Sequence, residues 1–176
     1  MDAITLLKAD HREVEKLFKA FEKLGDRANK AKTKTAHQII EALSRHAAIE
    51  EQVFYPAVRQ EVDGTNAEIL EAIEEHHIVK WVLSEIGGMT PQDERFDAKI
   101  TVLMENVRHH VKEEEAELFP AVRAALGRKR LGQIGAALEQ AKKLAPTSPH
   151  PRSPSTPPGN VVTAPIAKAV DKLTGR

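Results

Sequence analysis

The sequence predicts an all-α fold: an up-down-up-down four-helix bundle with a short extra C-terminal helix and a proline-rich tail. Three observations carry that expectation. Ala, Leu, Glu, Lys and Arg dominate the chain, while Gly and Pro gather at a few points. Apolar residues recur at alternating steps of three and four along four long segments. The connections near 25–32, 61–65 and 87–90 are short, which suits antiparallel neighbours.

The first helix is expected from about Ala3 to Leu24, with inward stripe Ile4, Leu7, His11, Val14, Phe18 and Phe21, and Gly25 as its C-cap. The second spans roughly Thr33 to Gln60, with stripe Ile39, Leu43, His46, Glu50, Val53 and Ala57. The third spans about Asn66 to Ile86, with stripe Ile69, Ile73, His76, Val79, Leu83 and Ile86. The fourth starts on Thr90-Pro91-Gln92-Asp93, where an N-cap threonine, a proline at the first helical position and an acid in the first turn coincide. Its stripe is Phe96, Ile100, Leu103, Val107, His110, Glu114, Leu118 and Ala121, and Gly127 stops it. A fifth segment, Leu131 to Leu144, is placed across one end of the bundle. Pro56 and Pro120 remove backbone donors and should kink or end their helices beyond the glutamates.

Seven of the ten prolines lie between Pro146 and Pro165, so a disordered or extended tail is expected from there. The resulting division is 1–127 for the bundle, 128–145 for the accessory helix and 146–176 for the tail. Within the tail, TAPIAKAVDKLTGR has the spacing of a short amphipathic helix that docks on a protein partner or a membrane surface.

Composition narrows the function. Of the 176 residues, 26 are Lys or Arg and 26 are Asp or Glu, a balance that gives no general attraction to nucleic acid. The absence of cysteine excludes disulfides, thiolate metal sites and thiol catalysis. The N-terminus is charged within a few residues and no stretch has the length of a membrane span, so a cytoplasmic protein is expected.

Each of the four stripes is apolar except at one histidine, and in two of them also at a glutamate one turn later. A lone histidine on an apolar face is usually a hydrogen-bonded core residue. Four of them on successive helices, two with glutamate at i+4, are a different matter. A buried carboxylate is costly unless it is paired or binds a metal, and no lysine or arginine shares these stripes. Residues at i and i+4 reach one centre from one helix. The order His, His-Glu, His, His-Glu suggests two metals with the carboxylates bridging, and imidazole with carboxylate suits iron, manganese or zinc. Two carboxylates offset only part of the charge of two divalent ions, so an oxide or hydroxide bridge is expected as well.

The stretches DHREVEKLF around His11, HAAIEEQVFYP at His46, EEHHIVKWVL at His76 and HVKEEEAELFP at His110 together resemble the hemerythrin-type HHE cation-binding domain, over about residues 3 to 126. The resemblance implies a non-haem di-iron centre that binds O2 or related small species. Carried over residue by residue, it implies His11, His46, Glu50, His76, His110 and Glu114 as ligands of two iron ions. The expected function is binding or sensing of O2, NO or peroxide at an open iron position. A peroxide-decomposing (catalase-like) or oxidase enzyme and an iron-storage or iron-handling protein are the alternatives. Oxygen-carrying hemerythrins use five histidines, whereas this pattern supplies four. Tyr55 and His77 are the candidates for the vacant place, Tyr55 otherwise being a packing residue and His77 a surface or supporting group. Glu51 and Glu115 either orient ligand histidines through the second ring nitrogen or lie on a solvated face. Phe54 and Phe119 are placed as walls of the site and Trp81 as packing. His37, His109 and His150 fall off the seams.

Overall fold

The computed structural model describes residues 1–157, 159 and 160. The bundle is up-down-up-down, and its elements in order are α1 (Ala3–Glu22), α2 (Asn29–Ile49), a π-helical segment π1 (Glu50–Phe54), α3 (Tyr55–Glu61), α4 (Asn66–Gly87), α5 (Phe96–Glu113), a second π-helical segment π2 (Glu114–Leu118), α6 (Phe119–Ala125) and α7 (Arg128–Leu144). Each of the two long hairpin arms is thus one continuous helical rod with a wide turn in it.

The wide turns have a local cause. Pro56 and Pro120 have no N–H to continue the i→i−4 ladder, and their rings crowd the carbonyls of Gln52 and Ala116. The chain answers by widening the turn before each proline: the Tyr55 N–H donates to Glu50 O and the Phe119 N–H to Glu114 O. The expected kink or stop beyond the glutamates is therefore a π-turn that begins on the glutamates themselves, and both rods run on for another seven residues.

Other boundaries also differ from expectation. The fourth helix begins at Phe96, because Thr90-Pro91-Gln92-Asp93 closes on itself: the Asp93 carboxylate accepts from the Thr90 N–H and hydroxyl at 2.6 and 2.9 Å, and the Phe96 N–H donates to Asp93 O. The second begins at Asn29, one turn ahead of Thr33. Lys23 rather than Gly25 caps α1, and Gly127 caps the start of α7 after Leu126 has turned extended. The start of α1 is as well capped as any in the molecule, since Asp2 accepts from the Thr5 N–H at 2.9 Å and its hydroxyl at 2.8 Å.

The core falls into two apolar clusters with a polar layer between them. One holds Leu7, Ile49, Phe54, Tyr55, Ile73, Leu118 and Phe119, closed at its end by Leu131, Ile134 and Leu138 of α7. The other holds Val14, Phe18, Leu43, Val79, Leu83, Ile100 and Val107. Passing through the layer, α1 and α4 run from the first cluster to the second and α2 and α5 run back, which is the up-down-up-down topology. Helix α7 packs on α1, α2 and π1. At Gly135 the N-terminal segment crosses α7 so closely that an added Cβ would lie 2.2 Å from Met1 O.

The described part of the tail lies along the bundle. Ser155 Oγ accepts from Lys80 Nζ at 3.0 Å, Asn160 Nδ2 donates to Glu51 O at 3.0 Å, and the Arg152 guanidinium lies over the Trp81 ring at 5.9 Å. The stretch expected to form an amphipathic helix, 163–176, falls outside the described residues. Among the described residues, no helix is long and apolar enough to cross a membrane.

Candidate metal centre

The polar layer between the two clusters brings together six of the eight candidate residues as one cluster. His11, His46, His76 and His110 are each buried, with Glu50 and Glu114 between them. His11 Nε2 faces His46 Nε2 at 3.1 Å, and His76 Nε2 faces His110 Nε2 at 3.2 Å. The two glutamates span the pairs. Glu50 Oε2 lies 3.1 Å from His46 Nε2 and 3.4 Å from His76 Nε2. Glu114 Oε2 lies 3.3 Å from His11 Nε2 and 3.6 Å from His110 Nε2. Two overlapping donor sets result, His11–His46–Glu50–Glu114 and Glu50–His76–His110, each with ligand atoms within 4.8 Å of one another.

These donors fit cations. Both oxygens of Glu50 and Oε2 of Glu114 are buried and accept no hydrogen bond. Burial, with Glu114 alongside, pushes the Glu50 carboxyl well above the usual carboxylate range, so without a cation the protein would have to keep it protonated. Facing imidazole nitrogens at hydrogen-bond distance can be satisfied by one proton per pair or by a metal that takes both lone pairs.

Sequence reasoning left the outward side of the histidines half-read. Every Nδ1 points at a carboxylate: His11 at Glu115 (2.9 Å), His76 at Glu51 (3.2 Å), His110 at Glu75 (2.6 Å) and His46 at Asp10 (3.7 Å, beyond hydrogen-bond reach). A carboxylate that accepts the Nδ1 proton leaves Nε2 free as a lone pair toward the centre. Of the two readings of Glu51 and Glu115, orientation of histidines is the one the geometry takes. Asp10 and Glu75 were missed. Their signal was available, because each directly precedes the seam histidine of its helix, as Asp10-His11 and Glu75-His76. Lysines hold three of the four carboxylates: Lys8 on Glu115 at 3.1 Å, Lys80 on Glu51 at 2.8 Å and Lys142 on Asp10 at 2.5 Å.

Electrostatics follow burial and partners. Burial pushes His46 down to about 4, against the pull of Asp10. It lowers His76 as well, outweighing Glu51. At His110 burial is outweighed by Glu114 and Glu75, which hold that imidazole above its ordinary value.

Tyr55 and His77 part company. Tyr55 is wholly buried, and its hydroxyl donates to Glu114 Oε1 at 2.9 Å and lies 3.5 Å from His76 Nε2. His77 sits outside the cluster, where its Nε2 accepts from the Trp81 indole N–H at 3.1 Å; Trp81 itself is 41% exposed. Phe119 stacks on His11 with ring centroids 5.7 Å apart, and Phe54 packs edge-on against Phe119, so both wall the layer as expected. His37 and His109 are exposed.

The contacts repeat across the two halves of the chain. Asp10, His11, His46, Glu50, Glu51 and Tyr55 in one half stand where Glu75, His76, His110, Glu114, Glu115 and Phe119 stand in the other. On the side of the layer facing the second apolar cluster lies a void of about 20 Å³, lined by the four histidines with Val14, Leu43, Ala47, Val79, Val107 and Val111.

The Hemerythrin HHE cation binding domain family matches residues 2–122. The chain belongs to this family. As a hemerythrin HHE protein it is a metal-cation-binding helical bundle. It is 28% identical over 165 residues to an uncharacterized hemerythrin-like protein of Schizosaccharomyces pombe, a match covering 93% of this chain and 80% of the relative. It is also 28% identical over 142 residues to a protein of Nostoc sp. named DNA nickase, where the match takes up 81% of this chain but only 39% of that protein. In fold it is similar to the crystal structure of a hemerythrin HHE cation binding domain-containing protein from Mycobacterium kansasii. The TM-score is 0.68 at 20% identity, with 81% of this chain and 88% of that one covered.

Proposed function

We propose that this HHE protein holds two iron ions in the polar layer and binds or senses a small neutral species, O2 or NO, at a vacant position on one of them. The observation that carries the proposal is a pair of buried carboxylates, with both oxygens of Glu50 and Oε2 of Glu114 accepting no hydrogen bond, that spans two pairs of facing imidazoles. His11 and His46 would hold one ion, His76 and His110 the other, with Glu50 and Glu114 between them. Two ferrous ions so held would supply an open coordination position and electron density to a bound diatomic.

The chain's own residues do the rest. The outward carboxylates fix the imidazoles of His11, His76 and His110 with their Nε2 lone pairs inward, and the two apolar clusters exclude bulk water from the layer. The void beside the histidines supports a ligand of two or three atoms, since about 20 Å³ is close to the space one water needs. Its six non-histidine residues are all apolar. Peroxide decomposition and oxidase chemistry call for a proton donor facing the ligand, and that lining favours reversible binding over them.

The test is anaerobic reconstitution with ferrous iron followed by exposure to O2, read as metal content and optical spectrum. Two irons per chain and a near-ultraviolet di-ferric absorption are expected, reversing when O2 is removed. One iron per chain or none would sink the dinuclear reading, and O2 evolution from added peroxide would favour the enzyme.

A further inference from the structure

The repeat between the two halves predicts two equivalent surface grooves beside the polar layer, one between α1 and α5 and one between α4 and α2. They do not look alike. The α4–α2 groove, floored by Ser44, Ala48, Glu51, Gln52 and Lys80, is roofed by tail residues between Pro146 and Pro154 and by Asn160, which leave a hollow of about 50 Å³ beneath them. The contacts that hold the roof in place include Lys80 to Ser155, Asn160 to Glu51 O, and Arg152 over Trp81. Among the described residues nothing from the tail covers the matching α1–α5 groove, which opens to a hollow of about 530 Å³.

The open groove and the void beside the histidines share a wall. His11, Val14, Val107 and Val111 line both. The equivalent residues on the covered side are His76, Val79, Leu43 and Ala47; they line the void, but not the roofed hollow. A third hollow, beside Tyr55 and Pro56, shares no residue with the void.

We infer that small ligands reach the centre from one side only, through the α1–α5 groove between Val14, Val107 and Val111, because the tail closes the equivalent passage between α2 and α4. This rests on the reading of the layer as a metal centre that binds a small neutral molecule. The passage is an apolar constriction, so it admits O2 or NO and resists anions, which would have to shed water against three valines. One-sided access also sets the two metal positions apart, since the ligand arrives on the His11 side.

Val111 decides the matter, because it lies on the shared wall and is only half-buried. In the full-length di-ferrous protein mixed with O2, Val111→Phe should slow association at least tenfold and Val111→Ala should speed it, with two irons per chain in both. Ala48→Val, under the roof, should leave the rate within twofold. Unchanged rates in both Val111 variants, or slowing by Ala48→Val equal to that by Val111→Phe, would overturn the inference. A readout without iron separates it from the metal-centre reading. In the zinc-loaded chain under O2 pressure, the methyl resonances of Val14, Val107 and Val111 should broaden while that of Ala48 stays sharp. Equal broadening on both sides refutes one-sided access even where iron loading succeeds. A chain that takes up no iron refutes the metal centre, and the methyl pattern still decides the route.

Discussion

Glu50 shows how one residue can be a liability or an asset depending on what sits beside it. It is wholly buried, unpartnered and next to a second carboxylate. In metal-free protein it destabilises the fold; with cations present it is the donor common to both sets. Glu50→Gln should therefore act in opposite directions. The apo protein should gain about 1–3 kcal/mol in chemical unfolding at neutral pH, because a carboxyl that folding must protonate is replaced by a group that is already neutral. The iron-loaded protein should lose stability, and its iron content should fall below two per chain. A variant that destabilises both forms alike would mean that Glu50 is held by hydrogen bonds rather than by metal. At this scale the sequence was most informative where chemistry forces a polar residue into an apolar stripe, as at His11, His46, His76, His110 and the two glutamates. It was least informative where a side chain such as Asp10 or Glu75 acts across helices, because periodicity reports which face a residue is on and not which neighbour it meets.

Helix ends and interruptions are set by a few contacts each. The Asp2 cap of α1 is partly buried, which works against its charge, but the amide and hydroxyl of Thr5 together with Arg123 outweigh that and hold the carboxyl below its ordinary 3.8. A carboxyl whose folded-state pKa is depressed stabilises the fold above its unfolded value and loses that contribution as pH falls through the folded one. Asp2→Ala should cost about 1 kcal/mol near neutral pH, or roughly 2–4 °C in Tm for a chain of this size. The gap between variant and parent should close in melts taken below pH 3.8. A gap that persists in acid would assign the loss to packing instead. The four long helices were legible from spacing, but their ends were not. Thr90 and Asp93 carry the right residue types for a cap yet bond to each other, and a proline six residues past a glutamate gives no sign, by propensity alone, that the turn before it will widen.

Across the whole molecule, the bundle repeats a two-rod unit, and what sets the copies apart is concentrated on one side. Tyr55 donates to Glu114, whereas Phe119 in the equivalent place has no hydroxyl to offer Glu50. The described part of the tail lies over one groove and not over its counterpart. The repeat could be read from HAAIEEQVFYP and HVKEEEAELFP alone, and so could the Tyr55–Phe119 difference. The seat of the described tail could not, because a Pro- and Ser-rich stretch carries no apolar period and is held by individual contacts such as those with Lys80, Glu51 and Trp81.

The cross-pairing of the outward carboxylates has a consequence for how the protein fills. Glu51 of the first half steadies His76 of the second, and Glu115 of the second steadies His11 of the first, while Glu50 and Glu114 reach both histidine pairs. Neither half owns a complete position. On the proposed two-iron reading, the ion that arrives first would lock groups from both rods and so prepare the berth for its companion, which makes cooperative uptake the expected outcome. Calorimetric titration of metal-free chain with ferrous iron should return a second stepwise constant larger than the first. Two equal, independent sites would mean that the rods do not communicate.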